Sequence, residues 1–279
     1  MSSGVGGSNA TAEEGERSMV DGRSGGLVRA TALVTGTGSG IGQATATALA
    51  AAGMRLVITE LPDRLDRAET TARMIRDDLG GEATVVPLDV TDMGSIDACV
   101  QCAVKAYDGR IDVLVNNAGL NVPQMAFDVT EEGWDRVLAV NLKGLFFTAQ
   151  AVGRRMRDQE PRGGSIVNIA SQMGVVGYVQ RAAYCSSKAG VINLSRVLAF
   201  EWAEYAIRVN AVCPTFVETP LTRPMFEDAA FKADVLRRIP LGRLATPEDV
   251  ASGVVYLAGP GAAMVTGHAL LIDGGWTAV

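Results

Sequence analysis

Short runs of β-branched and aliphatic residues alternate with longer stretches whose apolar positions recur every three or four residues, from Thr31 to the C-terminal strand. The short runs predict seven strands: Thr31–Thr35, Arg55–Thr59, Ala83–Leu88, Ile111–Asn116, Gly164–Ile169, Arg208–Val212 and Ala269–Ile272. Most are apolar at nearly every position instead of every second one, the pattern of a strand covered on both faces. The longer stretches predict helices over Ile41–Ala52, Leu65–Leu79, Met93–Tyr107, Glu131–Arg157, Ala183–Tyr205 and Pro247–Leu257. Strands alternating with helices pair in parallel through right-handed crossovers. The expected architecture is α/β, a single-domain doubly wound parallel seven-stranded sheet with helices on both faces.

Two segments depart from this alternation. Residues 1–28 mix Gly, Ser and charge without a period and hold too little apolar surface to offset the entropy of ordering. They are expected to form a flexible tail ahead of a domain spanning 29–279. Glu218–Arg238 carries two prolines, two phenylalanines and several charges, with short helical periodicity and no strand. A lid at about residues 216–238 is expected there, against the plainer alternative of a surface excursion.

Composition narrows the partners. A chain of 279 residues with 48% apolar content can bury a full core. Its 25 basic and 31 acidic residues give a net charge of −6 with no basic block, so no nucleic-acid partner is expected. The chain does not open on a basic segment followed by an apolar signal core, and a reducing cytoplasm without membrane attachment fits its four scattered cysteines. Cys99 and Cys102 form a CxxC inside a predicted helix. No second Cys/His pair completes a zinc set, so they read as two small buried residues on one helical face and no metal is expected.

The first strand runs into Gly36-Thr37-Gly38-Ser39-Gly40-Ile41-Gly42 and then an Ala-rich helix. Gly36 permits a sharp turn, Gly40 lets a ligand approach the backbone, and Gly42 lets helix and strand pack closely. The helix start offers unpaired N–H groups and partial positive charge to a pyrophosphate, with contacts expected at Gly36, Ser39, Gly40 and Ile41. The spacing lacks the GK[ST] ending of a phosphate-binding loop, which disfavours ATP. Glu60, closing the second strand, can accept hydrogen bonds from both adenosine ribose hydroxyls and would repel a 2′-phosphate, which favours NAD over NADP. Asp89-Val90 and Asn116-Asn117-Ala118-Gly119 stand at the carboxyl ends of the third and fourth strands, where open sheets gather ligands. Asp89 could accept from the adenine amino group, and Gly119 would let the chain pass close to the ribose.

Ser171 follows the fifth strand, and Tyr184 and Lys188 come 13 and 17 residues later. Tyr184 and Lys188 are four apart near a helix start, so they share a face. An ammonium beside a phenol favours the phenolate and lowers its pKa, and Ser171 can hold a substrate oxygen while a proton is exchanged. Each residue also has a plainer reading, as a buried aromatic, a snorkelling lysine and a helix cap.

These residues carry a resemblance. TGTGSGIG at Thr35–Gly42, NNAG at Asn116–Gly119, Ser171 and YxxxK at Tyr184–Lys188, in this order, resemble the short-chain dehydrogenase/reductase family from Leu27 to Trp276. The resemblance implies that Tyr184 is the catalytic acid/base, that Ser171 orients substrate, that Lys188 binds the nicotinamide ribose and lowers the Tyr184 pKa, and that Asn141 supports a proton-relay water. It places Asn117, Ala118, Gly119, Val90, Pro214, Val217 and Thr219 at the cofactor. Thr215 stands where the family has Gly, which would shift the loop if left-handed backbone is needed there. His268 reads as a bystander near a subunit contact, and the family's homotetramers imply packing through Leu142–Ala151 and Val191–Phe200.

The expected reaction is NAD-dependent hydride transfer between nicotinamide and a secondary alcohol or ketone of a polyol, sugar or small hydroxy compound. The alternatives are a 3-oxoacyl thioester reductase using NADPH or NADH, and a non-catalytic dinucleotide sensor. The pocket walls are expected at Gln172–Gln180, Asn121–Phe127 and Phe216–Phe231. Gln172, Gln124 and Asn121 offer polar contacts beside Val175, Val179, Phe216 and Met225. Arg181 is a candidate for a carboxylate or phosphate, against the plainer expectation of a solvated arginine at a helix start.

Overall fold

The computed structural model describes Met1, residues 27–220 and residues 222–278. Residues 2–26 of the expected tail lie outside the described residues, whereas Leu27 packs against the core. The strands are β1 (Thr31–Val34), β2 (Arg55–Glu60), β3 (Ala83–Pro87), β4 (Val113–Asn116), β5 (Gly164–Ile169), β6 (Ile207–Pro214) and β7 (Ala269–Ile272). They form one sheet in the order β3-β2-β1-β4-β5-β6-β7, and every pairing is parallel. The order reverses between β1 and β4, so their carboxyl ends open a crevice where ligands of doubly wound sheets bind.

The helices are α1 (Gly40–Ala51), α2 (Leu65–Arg73), α3 (Met93–Ala106), α4 (Glu131–Leu138), α5 (Leu145–Asp158), α6 (Ala182–Trp202), α7 (Ala229–Arg238) and α8 (Pro247–Ala258). Successive strand residues point to opposite faces. Ala32, Val34 and Ile58 pack on one side with Leu49 of α1 and Val254 and Leu257 of α8. Leu33, Val57 and Leu114 pack on the other with Ile96, Val152 and Leu198 of α3, α5 and α6. Both faces are thereby dry, which is why the strands read as continuous apolar runs.

Among the departures from the expected elements, three bear on the fold. The helix expected over Glu131–Arg157 is broken by a π-helical turn at Ala139–Gly144. There the helix crosses the β3 loop so closely that a Cβ on Gly144 would lie 2.5 Å from the Val90 carbonyl oxygen. The helix expected over Leu65–Leu79 likewise ends in a π turn, Met74–Asp78. β6 runs two residues beyond Val212, because Cys213 and Pro214 still pair with Leu271 and Ile272. The two cysteines of α3 also separate: Cys99 is buried and Cys102 exposed, so they do not share the buried face.

Candidate functional site

The glycine turn after β1 is fixed from below. Thr35 Oγ1 accepts the amides of Asn117 and Ala118, each at 2.9 Å. The Asn117 amide in turn donates to the carbonyls of Thr35 and Gly36, both at 2.9 Å. Asn117 therefore positions the turn through its side-chain nitrogen. Gly36 takes φ 68°, and a Cβ on Gly42 would lie 2.1 Å from the Gly36 oxygen, so no side chain fits between turn and helix. Ser39 precedes α1 without a side-chain cap. The first amides of a 12-residue helix are thus left for an outside acceptor, which fits a pyrophosphate.

The other expected cofactor residues surround this turn. Glu60 accepts the Gly38 amide at 3.0 Å and that of Leu61 at 3.1 Å, which places its carboxylate beneath the turn. A Cβ on Gly40 would touch Thr219 at 3.1 Å, so the loop after β6 closes against the glycines. Pro214 and Val217 flank that closure, Val217 bridging to Ala245. Asp89 Oδ1 takes both the amide and the hydroxyl of Thr91, so one of its oxygens is committed to its own turn; Val90 is buried beside it. Thr215 is buried without left-handed backbone, so the expected strain at this glycine position does not arise. Its hydroxyl has no partner.

The chemical residues converge at the carboxyl ends of β4 and β5. Ser171 caps the short turn after β5, accepting the Met173 amide at 3.1 Å and facing the Pro214 carbonyl at 3.5 Å. Lys188, on α6, donates to the Ile169 carbonyl at 2.6 Å and lies 5.7 Å from the Tyr184 ring centre. A Cβ on Gly119 would be 3.3 Å from Asn141 Oδ1 and 3.7 Å from Lys188 Nζ, so the NNAG loop, the π turn and α6 meet at one point. Burial pulls the Lys188 ammonium down to about 8. Burial also raises the Tyr184 phenol, opposed by the Ser171 hydroxyl and then by the Arg181 charge. The Lys188 ammonium lies over the Tyr184 ring, on the face the two residues share.

The Asn141 amide is committed on both sides. Its Oδ1 accepts the Leu120 amide at 2.8 Å, while Nδ2 donates to the Leu120 carbonyl at 2.8 Å and to Ser187 Oγ at 3.2 Å. Ser187 passes the connection to the Tyr184 carbonyl. Both amide hydrogens are spent, and the side chain thereby locks the NNAG loop to α6. Sequence reading missed Thr35 and Ser187. The only signals for them are a threonine directly before the glycine turn and a serine inside YxxxK.

The third wall is aromatic. Phe216 packs edge-on to Tyr178 at 5.5 Å and to Phe231 of α7 at 5.7 Å, and Trp276 adds its ring 5.8 Å from Tyr178. Asp234 of α7 accepts from the Tyr178 hydroxyl at 3.4 Å and from Arg238 at 2.9 Å, and Arg238 lies over both Tyr178 and Trp276. Met225 joins this cluster, whereas Val175 and Val179 are exposed. Arg181 is buried, not solvated.

The protein-family profile described as enoyl-(acyl carrier protein) reductase matches residues 36–277. D-threitol dehydrogenase of Mycolicibacterium smegmatis is 43% identical over 247 residues, 88% of this chain and 92% of that protein. A 3-oxoacyl-(acyl-carrier-protein) reductase of Thermotoga maritima is 42% identical over 263 residues, 94% of this chain and 98% of that protein. Among solved structures, one from Agrobacterium tumefaciens, provisionally assigned as a 2-deoxy-D-gluconate 3-dehydrogenase with bound NADP, superposes with a TM-score of 0.80 at 38% identity. That match covers 91% of this chain and 98% of the other.

Proposed function

The chain belongs to the short-chain dehydrogenase/reductase family, and from that premise we propose that it oxidises a secondary alcohol of a polyol, sugar or small hydroxy compound with NAD, and reduces the ketone in reverse. Family membership makes it an NAD(P)-dependent oxidoreductase acting on a CH–OH or C=O group. The observation that carries the hydride-transfer reading is the meeting of Ser171, Tyr184 and Lys188 beside the Gly119 loop.

The bound nicotinamide supplies the hydride acceptor or donor. In oxidation Tyr184, as phenolate, takes the hydroxyl proton while the carbinol hydrogen leaves as hydride, and a C=O bond replaces the O–H and C–H bonds. Ser171 holds the same oxygen, so negative charge developing there during ketone reduction meets two donors already in place. Lys188, held by the Ile169 carbonyl, fixes the ribose side of the site. Asn141 holds the loop that carries Gly119. The Glu60 carboxylate beside Gly38 favours NAD, because a 2′-phosphate would approach a like charge.

A homotetramer in the cytoplasm completes the proposal. Leu138, Leu142, Phe146 and Leu194 line an apolar groove on the outer side of α4–α6, and Phe200 is fully exposed on α6. All four cysteines are free thiols, and among the described residues no helix is long and apolar enough to cross a membrane.

Steady-state assays of the wild type with a panel of secondary alcohols and with both cofactors test the reading. NADH formation at a kcat/KM at least about tenfold above that for NADPH is expected, since like-charge contact costs on the order of 1–2 kcal/mol at this range. Failure on every alcohol, with rapid reduction of acetoacetyl thioesters, would assign the chain to thioester reduction instead.

A further inference from the structure

Two arginines are buried among the described residues, and they are treated differently. Arg55 meets Asp108 at 2.6 Å and Thr31 Oγ1 at 3.3 Å. Arg181, only 6% exposed, donates to the carbonyl of its neighbour Gln180 at 3.1 Å. The charged or titratable groups around it are Tyr184, Tyr178 and Cys185, none of them a carboxylate. A guanidinium does not give up its proton, so burying one without a counter-charge costs stability unless something in the working protein supplies that charge. The backbone bears a further cost at the same place, for Gln180 is held at φ 61°, a conformation rare outside glycine.

The surroundings identify what is missing. Arg181 enters α6 three residues before Tyr184, and its bridge to Gln124 seats it against the expected pocket wall. The charges that act on it include those of the reacting phenol and of Tyr178, whose ring belongs to the aromatic wall. Beside Ser171, Gln172 is 1% exposed, and neither its amide oxygen nor its amide nitrogen has a partner. The Thr215 hydroxyl, on the loop that Ser171 faces through Pro214, is likewise without one. A buried cation three residues before Tyr184, an unpaired buried amide next to Ser171 and an unpaired buried hydroxyl next to Pro214 therefore lie on the three segments that carry the site.

We infer that Arg181 pairs with a carboxylate of the substrate while Gln172 and Thr215 take its hydroxyls, so that the substrate is a polyhydroxy acid or its keto form and not a neutral polyol. The inference rests on the dehydrogenase reading and narrows it. A planar carboxylate matches the guanidinium fork, and a monoanion balances one cation flanked by phenols.

The test uses the full chain with saturating NAD and compares aldonates of four to six carbons with alditols of the same length. The wild type is expected to favour the acids at least tenfold in kcat/KM. Arg181→Met should lower kcat/KM for the acids about 100-fold, mainly through KM, with a far smaller change for the alditols. Arg181→Lys should recover part of the loss. In thermal melts with NADH bound, an aldonate should raise the midpoint of the wild type and not that of Arg181→Met, and NADH fluorescence verifies that the variant still folds around its cofactor. Preference for alditols, or an equal loss on acids and alditols in Arg181→Met, overturns the carboxylate assignment while the dehydrogenase reading stands. No oxidation of either class by the wild type, with either cofactor, removes that reading and the inference with it.

Discussion

Lys188 shows what a single residue costs when it is placed for chemistry. Its ammonium is buried, has one backbone carbonyl as partner and no carboxylate, and burial draws its pKa from the usual 10.5 down to about 8. Between those values the unfolded chain holds the proton that the folded chain has lost. This residue's penalty is therefore full below about pH 8 and fades as pH rises through the window. Lys188→Met should stabilise the fold by on the order of 2 kcal/mol at pH 7, burial relief of up to about 3 kcal/mol being offset by the orphaned Ile169 carbonyl. The gap between variant and wild type should narrow as pH climbs toward 9.5. Paired urea melts at matched pH measure it and cancel the opposing contribution of the buried thiol Cys99, raised to about 12. A gap that is absent at pH 7, or that widens with pH, would contradict it. At this scale Ser171, Tyr184 and Lys188 were legible because their chemistry follows from type and spacing. Asn141 was legible only through the resemblance. For Arg181 the plainer expectation of a solvated helix start fails, because the residue is buried and bridged to Gln124, which periodicity around Arg181 cannot reveal.

Among the elements, the glycine turn and α1 form the least forgiving joint. A methyl group on Gly42 meets the Gly36 carbonyl at 2.1 Å and the Asn117 amide at 2.5 Å, and the first of these is backbone that cannot rotate away. Gly42→Ala should therefore prise the helix from the turn, weaken NAD binding at least tenfold and cost about 1–3 kcal/mol of stability. NADH fluorescence titration and a thermal melt check both effects; an unchanged Kd would show that the turn is not where the cofactor sits. The elements themselves were well marked in the sequence, since strands covered on both faces and amphipathic helices announce their periods. Their interruptions were not. The π turn at Ala139–Gly144 answers to the Val90 carbonyl and to Leu120, contacts that the helix's own pattern cannot contain. The extension of β6 through Pro214 answers to its pairing with β7.

Across the whole molecule, the sheet order brings together segments far apart in the chain. The turn after β1, Glu60 closing β2, the NNAG loop at the end of β4, Ser171 after β5 and Thr219 after β6 all lie at carboxyl ends of parallel strands. No local rule places Tyr184 there; α6 does, by packing against the turn that Ser171 begins, where a Cβ on Gly174 would meet the Lys188 carbonyl at 2.7 Å. Alternating strands and helices with a glycine turn at the head were enough to foresee this assembly, whereas the aromatic wall of Tyr178, Phe216, Phe231 and Trp276 joins three distant segments and was only half foreseen. The most direct measurement follows deuterium from the carbinol carbon of a labelled alcohol into the nicotinamide, in the wild type and in Tyr184→Phe, alongside NADH binding. The wild type should transfer the label, and the variant should bind NADH with similar affinity while transferring it at least about 1,000-fold more slowly. Transfer at an undiminished rate in Tyr184→Phe would contradict the assignment of the acid/base.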